Sequence, residues 1–219
     1  MPETPTPTPT GDPAPHRVYD RIAAHFSETR AHPWPDVADF VAERTGRRGL
    51  DLGCGNGRHA ELLADVCETA VGVDASAGLL AEARARAAER EYADALALLR
   101  GDAERIPLRD DTVNLAVYVA TLHHLPSREA RVRSLTDLAR VLAPGGEALV
   151  SVWSTTHDRF GPDTGFDTTV EWTLPDGTTE NRYYHIYDPA EFRADLDDSA
   201  LDVVEAYESR GNAYAVVTS

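Results

Sequence analysis

Apolar positions along the chain alternate between short β-like runs and longer stretches with helical spacing. Gly49 to Leu52, Ala70 to Val73, Ala95 to Leu99, Val113 to Val119 and Glu147 to Trp153 read as five strands. Between them, Arg58 to Asp65, Gly78 to Tyr92 and Arg128 to Leu142 carry helical periodicity and composition, the last stopped by Pro144-Gly145-Gly146. This alternation predicts an α/β fold with a doubly wound sheet. Ahead of the first strand, Val18, Tyr19, Ile22 and Phe26, then Val37, Phe40 and Val41, predict two short helices around the rigid turn Pro33-Trp34-Pro35, a cap spanning 16–45. Met1 to Pro15 repeat Thr-Pro with almost nothing to bury, which predicts a disordered, solvated tail. Residues 154–181 are polar with little periodicity, an excursion on the substrate side that reaches to about 187 and has room for a hairpin. Asp188-Pro189 opens a short helix through about Leu196. Val203 to Tyr207 and Tyr214 to Val217, on either side of Arg210-Gly211-Asn212, predict an antiparallel hairpin that finishes the sheet. One domain over 16–219 is the expectation.

The stretch Leu50-Asp51-Leu52-Gly53-Cys54-Gly55-Asn56-Gly57 joins the first strand to the first helix, where a doubly wound sheet opens its ligand crevice. Three glycines let the backbone take otherwise closed dihedrals and bring bare peptide N–H groups near a small molecule. A dinucleotide fingerprint needs its third glycine or alanine where this chain has Arg58, so that reading fails. Asp51, two residues before the first glycine, would repel a pyrophosphate and favour a cationic ligand.

Composition narrows the setting. Asp and Glu number 37 against 21 basic residues, a net charge of -16, and the basic residues are all Arg. An acidic, lysine-free surface suits a salt-rich cytosol and predicts a halophilic source. No apolar run reaches the roughly 18 residues a membrane span needs, and no signal pattern opens the chain, so a cytoplasmic protein is expected. Cys54 and Cys67 lack paired spacing and read as free thiols, and no metal site is expected.

The glycine loop preceded by Asp51, with Asp74 ending the second strand and Asp102 after the third, resembles the class I S-adenosylmethionine methyltransferases. The resemblance implies a seven-stranded, mostly parallel Rossmann-like sheet with S-adenosyl-L-methionine as cofactor. It implies that Asp51 lies near the ligand's ammonium, that Gly53 and Gly55 approach its methionine part, that Asp74 takes the ribose hydroxyls, and that Asp102 with Ala103 reads adenine. Tyr19, Cys54, Ala75, Val119 and His123 complete the cofactor-facing set. On residues alone each piece has a plainer reading: a tight turn, a helix cap, a solvated acid.

Tyr19-Asp20-x-Ile22-Ala23-x-His25-Phe26-Ser27-x-Thr29-Arg30-x-His32-Pro33-Trp34-Pro35 is similar to the amino-terminal signature of a narrower family, the tRNA wobble-uridine methyltransferases that esterify 5-carboxymethyluridine. His123-His124-Leu125 leading to Arg131, Val152-Trp153, Arg182-Tyr183-Tyr184-His185 and Gly211-Asn212 agree with it, although His32 and Ala213 replace the family's usual lysine and aromatic. The implied acceptor is an anion at neutral pH and needs no general base. Arg30, His124, Arg182, Tyr184, His185 and Asn212 are therefore expected to orient it. Arg30 serves equally well for the cofactor's carboxylate. Trp34 reads as a packing anchor or a base-stacking platform. Arg128 and Arg131 read as pairs to Glu129 or Asp137, or as phosphate contacts. The resemblance further implies a heterodimer with a small zinc-binding activator protein that adds a strand along Ala95 to Leu99. The rival functions are methylation of a small molecule and cofactor binding without turnover.

Overall fold

The computed structural model describes residues 15–219, so the expected tail at Met1 to Pro15 lies outside the described residues except for Pro15, which opens the first helix instead. The cap forms as α1 (Pro15–Thr29) and α2 (Pro35–Ala42), the second begun by a proline whose fixed φ suits a first helical position. The sheet then assembles from β1 (Gly46–Leu52), β2 (Cys67–Asp74), β3 (Leu96–Arg100), β4 (Val113–Val119) and β5 (Leu142–Trp153). Helices α3 (Ala60–Val66), α4 (Ala77–Glu89) and α5 (Arg128–Val141) cross between them. Ser76 and Ser127 cap α4 and α5 by accepting the N–H of Leu79 and Ala130. The excursion holds the hairpin β6 (Phe166–Thr173) and β7 (Thr179–Ile186), a two-stranded sheet of its own, before α6 (Pro189–Asp197). β8 (Asp202–Ser209) and β9 (Asn212–Thr218) close the chain through Arg210 and Gly211, both at positive φ as a tight hairpin turn requires.

The seven strands lie in the order β3-β2-β1-β4-β5-β9-β8, parallel except for β9, which runs antiparallel to β5 and to β8. The order reverses at β1, which pairs with β2 on one side and β4 on the other, and this opens the crevice at their carboxyl ends. Two corrections follow. Helix α5 ends at Val141, before Pro144-Gly145-Gly146, because Asp111 and Thr112 donate their N–H groups to the carbonyls of Arg140 and Val141. The Pro-Gly-Gly run instead lies inside β5, where the ladder to β4 slips between Val113 and Leu115. The third strand starts at Leu96, with Ala95 in the turn before it.

α1 straps the molecule together over the crevice. Asp20 accepts from the Ser76 hydroxyl (2.6 Å) and the Gly78 N–H (2.9 Å) at the start of α4. Arg21 makes a two-pronged ion pair with Glu180 of β7 at 2.6 and 2.8 Å. Trp172 of β6 donates its indole N–H to His25 Nδ1 (3.1 Å), and Asn56 of the glycine loop donates to the Arg30 carbonyl (3.0 Å).

Candidate active site

A cavity of about 660 Å³ lies between the glycine loop, the carboxyl ends of β1 to β5, α1 and the β6–β7 hairpin. It falls within the about 300–1,000 Å³ usual for small-molecule sites. Gly53 sits at φ +71, and a Cβ there would overlap the Thr121 side chain, so only glycine lets the loop pass beneath the β4 exit. The loop's N–H groups are not bare, contrary to expectation. Gly53 and Cys54 donate to the Val73 carbonyl, Gly55 to Asp74 Oδ2 (2.8 Å) and Gly57 to the Cys54 carbonyl. The loop presents shape, and Asp74 presents charge.

Asp74 lines the cavity and also accepts the Ser76 N–H (2.8 Å), while its burial pushes its pKa up against those two bonds. Asp102 and Ala103 line the same end, Asp102 accepting the Glu104 N–H (2.9 Å). Tyr19, Cys54, Ala75 and Val119 also line the cavity. Asp51 does not. It is 1 % exposed beneath the loop, where it faces the Ala60 N–H at the start of α3, and burial raises its pKa to about 7 despite the Arg58 guanidinium. The loop folds over it and screens it from the cavity.

At the other end of the glycine loop, Arg30 and Arg58 both line the cavity. Arg58 is stacked 5.4 Å from the centre of the Trp34 ring, so Trp34 acts as a packing anchor at the cavity wall. Burial, then the nearby Arg30 charge, lowers the Arg58 pKa to about 10. Acids at one end and guanidinium groups at the other fit a molecule carrying hydroxyl and amine donors at one end and a carboxylate at the other.

Beyond this lies a cluster of aromatic and basic side chains. Arg182 is 7 % exposed, 4.7 Å from the Trp172 ring centre and 5.3 Å from that of Tyr184, and donates to the Tyr184 hydroxyl (2.8 Å). Tyr184 stacks on Trp153, 4.7 Å between centres at 17°. His124 contacts the Tyr183 carbonyl through Nδ1 (2.8 Å) and the Tyr19 hydroxyl through Nε2 (2.9 Å), and burial lowers its pKa to about 4. His123 is 0 % exposed and accepts the Trp153 N–H at Nδ1 (3.0 Å), with a pKa held well below 6.5 by burial. Sequence reasoning missed Phe26, Trp153 and Trp172 as cavity walls. Trp153 could have been found from its place at the carboxyl end of β5, whereas Trp172 is brought in only by the hairpin.

Four expected residues lie elsewhere. His185 bridges Asp167 (2.7 Å) and Glu191 (2.8 Å), pinning the hairpin to α6. Asn212 pairs with Trp153 in the β5–β9 ladder and donates to the Arg210 carbonyl, a turn role. Arg131, 3 % exposed, pairs with Glu191 and Asp195, and Arg128 with Asp195 and Asp198. Their partners are the acids of α6 rather than Glu129 or Asp137, because α5 packs on α6.

A crevice at the switch point of this strand order, walled by the glycine loop and the Asp74 and Asp102 acids, defines a class I S-adenosylmethionine-dependent methyltransferase. A family model described as a methyltransferase domain matches residues 50–150. A protein of Encephalitozoon cuniculi named as a methyltransferase is 31 % identical over 210 residues, covering 92 % of this chain and 93 % of that one, and the chain belongs to the methyltransferase family. It is 38 % identical over 140 residues to a tRNA (carboxymethyluridine(34)-5-O)-methyltransferase of Xenopus tropicalis, covering 64 % of this chain and 21 % of that one. It is 36 % identical over 165 residues to the Saccharomyces cerevisiae protein of the same name, covering 73 % and 56 %. The chain thus spans about a fifth of the first relative and about half of the second. Among solved structures, the CcbJ methyltransferase of Streptomyces caelestis has the same fold (TM-score 0.75, 22 % identity, 95 % and 99 % covered). So does the methyltransferase bound to the Trm112 activator of Haloferax volcanii (TM-score 0.67, 20 % identity, 93 % and 96 % covered). Among the described residues no cluster suits a metal ion and no helix is long and apolar enough to cross a membrane, and both cysteines are free and buried.

Proposed function

We propose that this chain methylates the carboxylate of 5-carboxymethyluridine at the tRNA wobble position, giving the methyl ester. The observation that carries this reading is Arg182. Its guanidinium lines the cavity, is almost fully buried, and has no carboxylate within ion-pair distance among the described residues, in a protein with 37 acidic residues. A buried charge without a counterion is costly, so such a site suits an anionic acceptor. Its walls, Trp153, Trp172 and Tyr184, suit a flat base.

When bound, S-adenosylmethionine supplies an electrophilic methyl group on a sulfonium. Asp74 and Asp102 are suited to hydroxyl and amine donors of its nucleoside, and Arg58 with Arg30 to its carboxylate. The acceptor carboxylate has a pKa of about 4 and is already a nucleophile, so the residues around it orient rather than deprotonate. Arg182 holds the anion, and the aromatic walls exclude water. Exposed Arg159, over the Trp153 ring at the cavity mouth, is placed for a phosphate.

The names of the Xenopus and yeast relatives support the tRNA acceptor, and a tRNA substrate implies the cytoplasm. An activator protein of the kind bound in the Haloferax complex fits the β3 edge, which among the described residues pairs only with β2 and carries half-buried Leu96, Leu98 and Leu99. The acidic, lysine-free composition supports assay at molar salt. The test is incubation of the chain, with and without an activator, with carboxymethyluridine-bearing tRNA and labelled cofactor. Mass spectrometry of the nucleosides is expected to show the methyl ester. Cofactor binding without transfer to that tRNA would overturn the assignment.

A further inference from the structure

His123 and His124 are neighbours with opposite hydrogen-bonding states, and the difference assigns them different work. The Tyr183 carbonyl can only accept, so His124 carries its proton on Nδ1, and its Nε2 accepts from Tyr19. Both nitrogens are engaged. The Tyr19 oxygen lies 3.4 Å from the Tyr184 hydroxyl, and Tyr184 accepts from Arg182, so hydrogen bonds run in one direction from Arg182 through Tyr184 and Tyr19 to His124. His124 ends that chain.

His123 is arranged otherwise. A backbone N–H, that of Trp153, points at its Nδ1, so the proton of the neutral ring sits on Nε2. That Nε2 is buried with no hydrogen-bond partner among the described residues, and so is Nε of Arg182. The His123 ring is 4.9 Å from that of Tyr184, which the Arg182 guanidinium also faces at 5.3 Å. The two side chains that carry these unpartnered donors therefore lie against one aromatic ring, and all three residues help to line the cavity. Buried donors are rarely left unmatched, because each costs the free energy of a lost hydrogen bond.

We propose that the Nε2–H of His123 and the Nε–H of Arg182 together hold the two oxygens of the acceptor carboxylate. This rests on the carboxylate acceptor proposed above. The pair distinguishes the acid from its own product, since esterification removes the charge and one oxygen becomes a poor acceptor. Release of the methylated tRNA is favoured for the same reason.

The experiment compares binding of two tRNAs, one bearing the carboxymethyl acid and one its methyl ester, to the full chain with S-adenosylhomocysteine present. Three proteins are measured: wild type, His123→Leu and His123→Gln. Leu removes the donor, whereas Gln returns an N–H near the position of Nε2, and both leave the Trp153 N–H without its ring acceptor. Wild type is expected to favour the acid by roughly 10- to 100-fold, the size of one or two hydrogen bonds to a charged group. His123→Leu should lose most of that preference and His123→Gln should keep it. Calorimetry with S-adenosylhomocysteine reports whether each variant is folded. If Leu folds and retains the preference, or Gln folds and loses it, the proposal is overturned. A wild type that neither methylates nor prefers the acid would instead overturn the acceptor assignment itself.

Discussion

The two ends of the cavity are built on opposite principles. At the glycine-loop end, Asp74 takes two backbone N–H groups, the Val73 carbonyl takes two more, and Asp51, its Oδ2 without a hydrogen-bond partner among the described residues, is sealed below the loop. At the hairpin end, Arg182 has no carboxylate and two buried ring and guanidinium donors have no partner among the described residues. The first end is a finished shape. On the proposed reading both ends receive an anion, the cofactor's carboxylate at Arg58 and Arg30 and the acceptor's at Arg182, and the second end differs in leaving buried donors beside an aromatic wall.

Crossed substitutions should break this comparison most sharply. With the proposed tRNA acceptor, Arg182→Leu removes a charge-assisted hydrogen bond and the counterion of the carboxylate, and is expected to lower kcat/KM by about 10²- to 10⁴-fold. Its affinity for S-adenosylhomocysteine should stay close to wild type. Asp74→Ala is expected to do the reverse, weakening S-adenosylhomocysteine by roughly 10- to 100-fold. Saturating cofactor should then restore much of the rate. Calorimetry beside steady-state kinetics separates the two, and equal loss of both properties in both variants would erase the division.

Asp51 sharpens the glycine-loop side. Its pKa is raised by burial from 3.8 to about 7, so the folded state binds its proton more tightly than the unfolded chain does. Stability from this group is therefore undiminished below about pH 4, falls as pH rises toward 7, and is lowest above 7, by up to about 4 kcal/mol. Asp51→Asn should exceed wild type in urea midpoint by more near pH 8 than near pH 5, and match it only at about pH 3.5. If Asn is instead the weaker protein at pH 8, the carboxylate is ionised and Arg58 holds it.

The same division explains what could be read from the sequence. Asp74 and Asp102, the acids proposed to face the cofactor, follow consecutive strand ends, so strand order and the crevice at the switch point place them without knowledge of distant packing. Asp51 misled because the motif shows an acid beside the loop but not that the loop folds over it. Arg30, His124, Arg182 and Tyr184 came from the family resemblance, and their meeting depends on contacts such as Tyr19 with His124, 105 positions apart. Trp172 gave no local signal, since only closure of a hairpin onto α1 puts an indole there. His185, Asn212, Arg128 and Arg131 share the residue types of a substrate site, and only the packing of α6 and the turn before β9 reveals their other partners.

The smallest expected effect belongs to Arg128. It has the charge and exposure of a phosphate contact, yet it pairs with Asp195 at 2.7 Å and Asp198 at 2.6 Å and lies outside the cavity lining. An arginine already facing two carboxylates carries little net field to a distant phosphate, and screening at high salt reduces what remains. Arg128→Gln should leave KM for tRNA within about twofold and the dependence of binding on salt unchanged, because no phosphate contact is lost. Arg159→Gln, at the cavity mouth with no ion pair among the described residues, should by contrast make the logarithmic salt slope shallower by about one. Binding titrations across a salt series separate them. A steeper loss for Arg128 would mean that the tRNA reaches across α5, and the acceptor end of the molecule would then extend well beyond the hairpin.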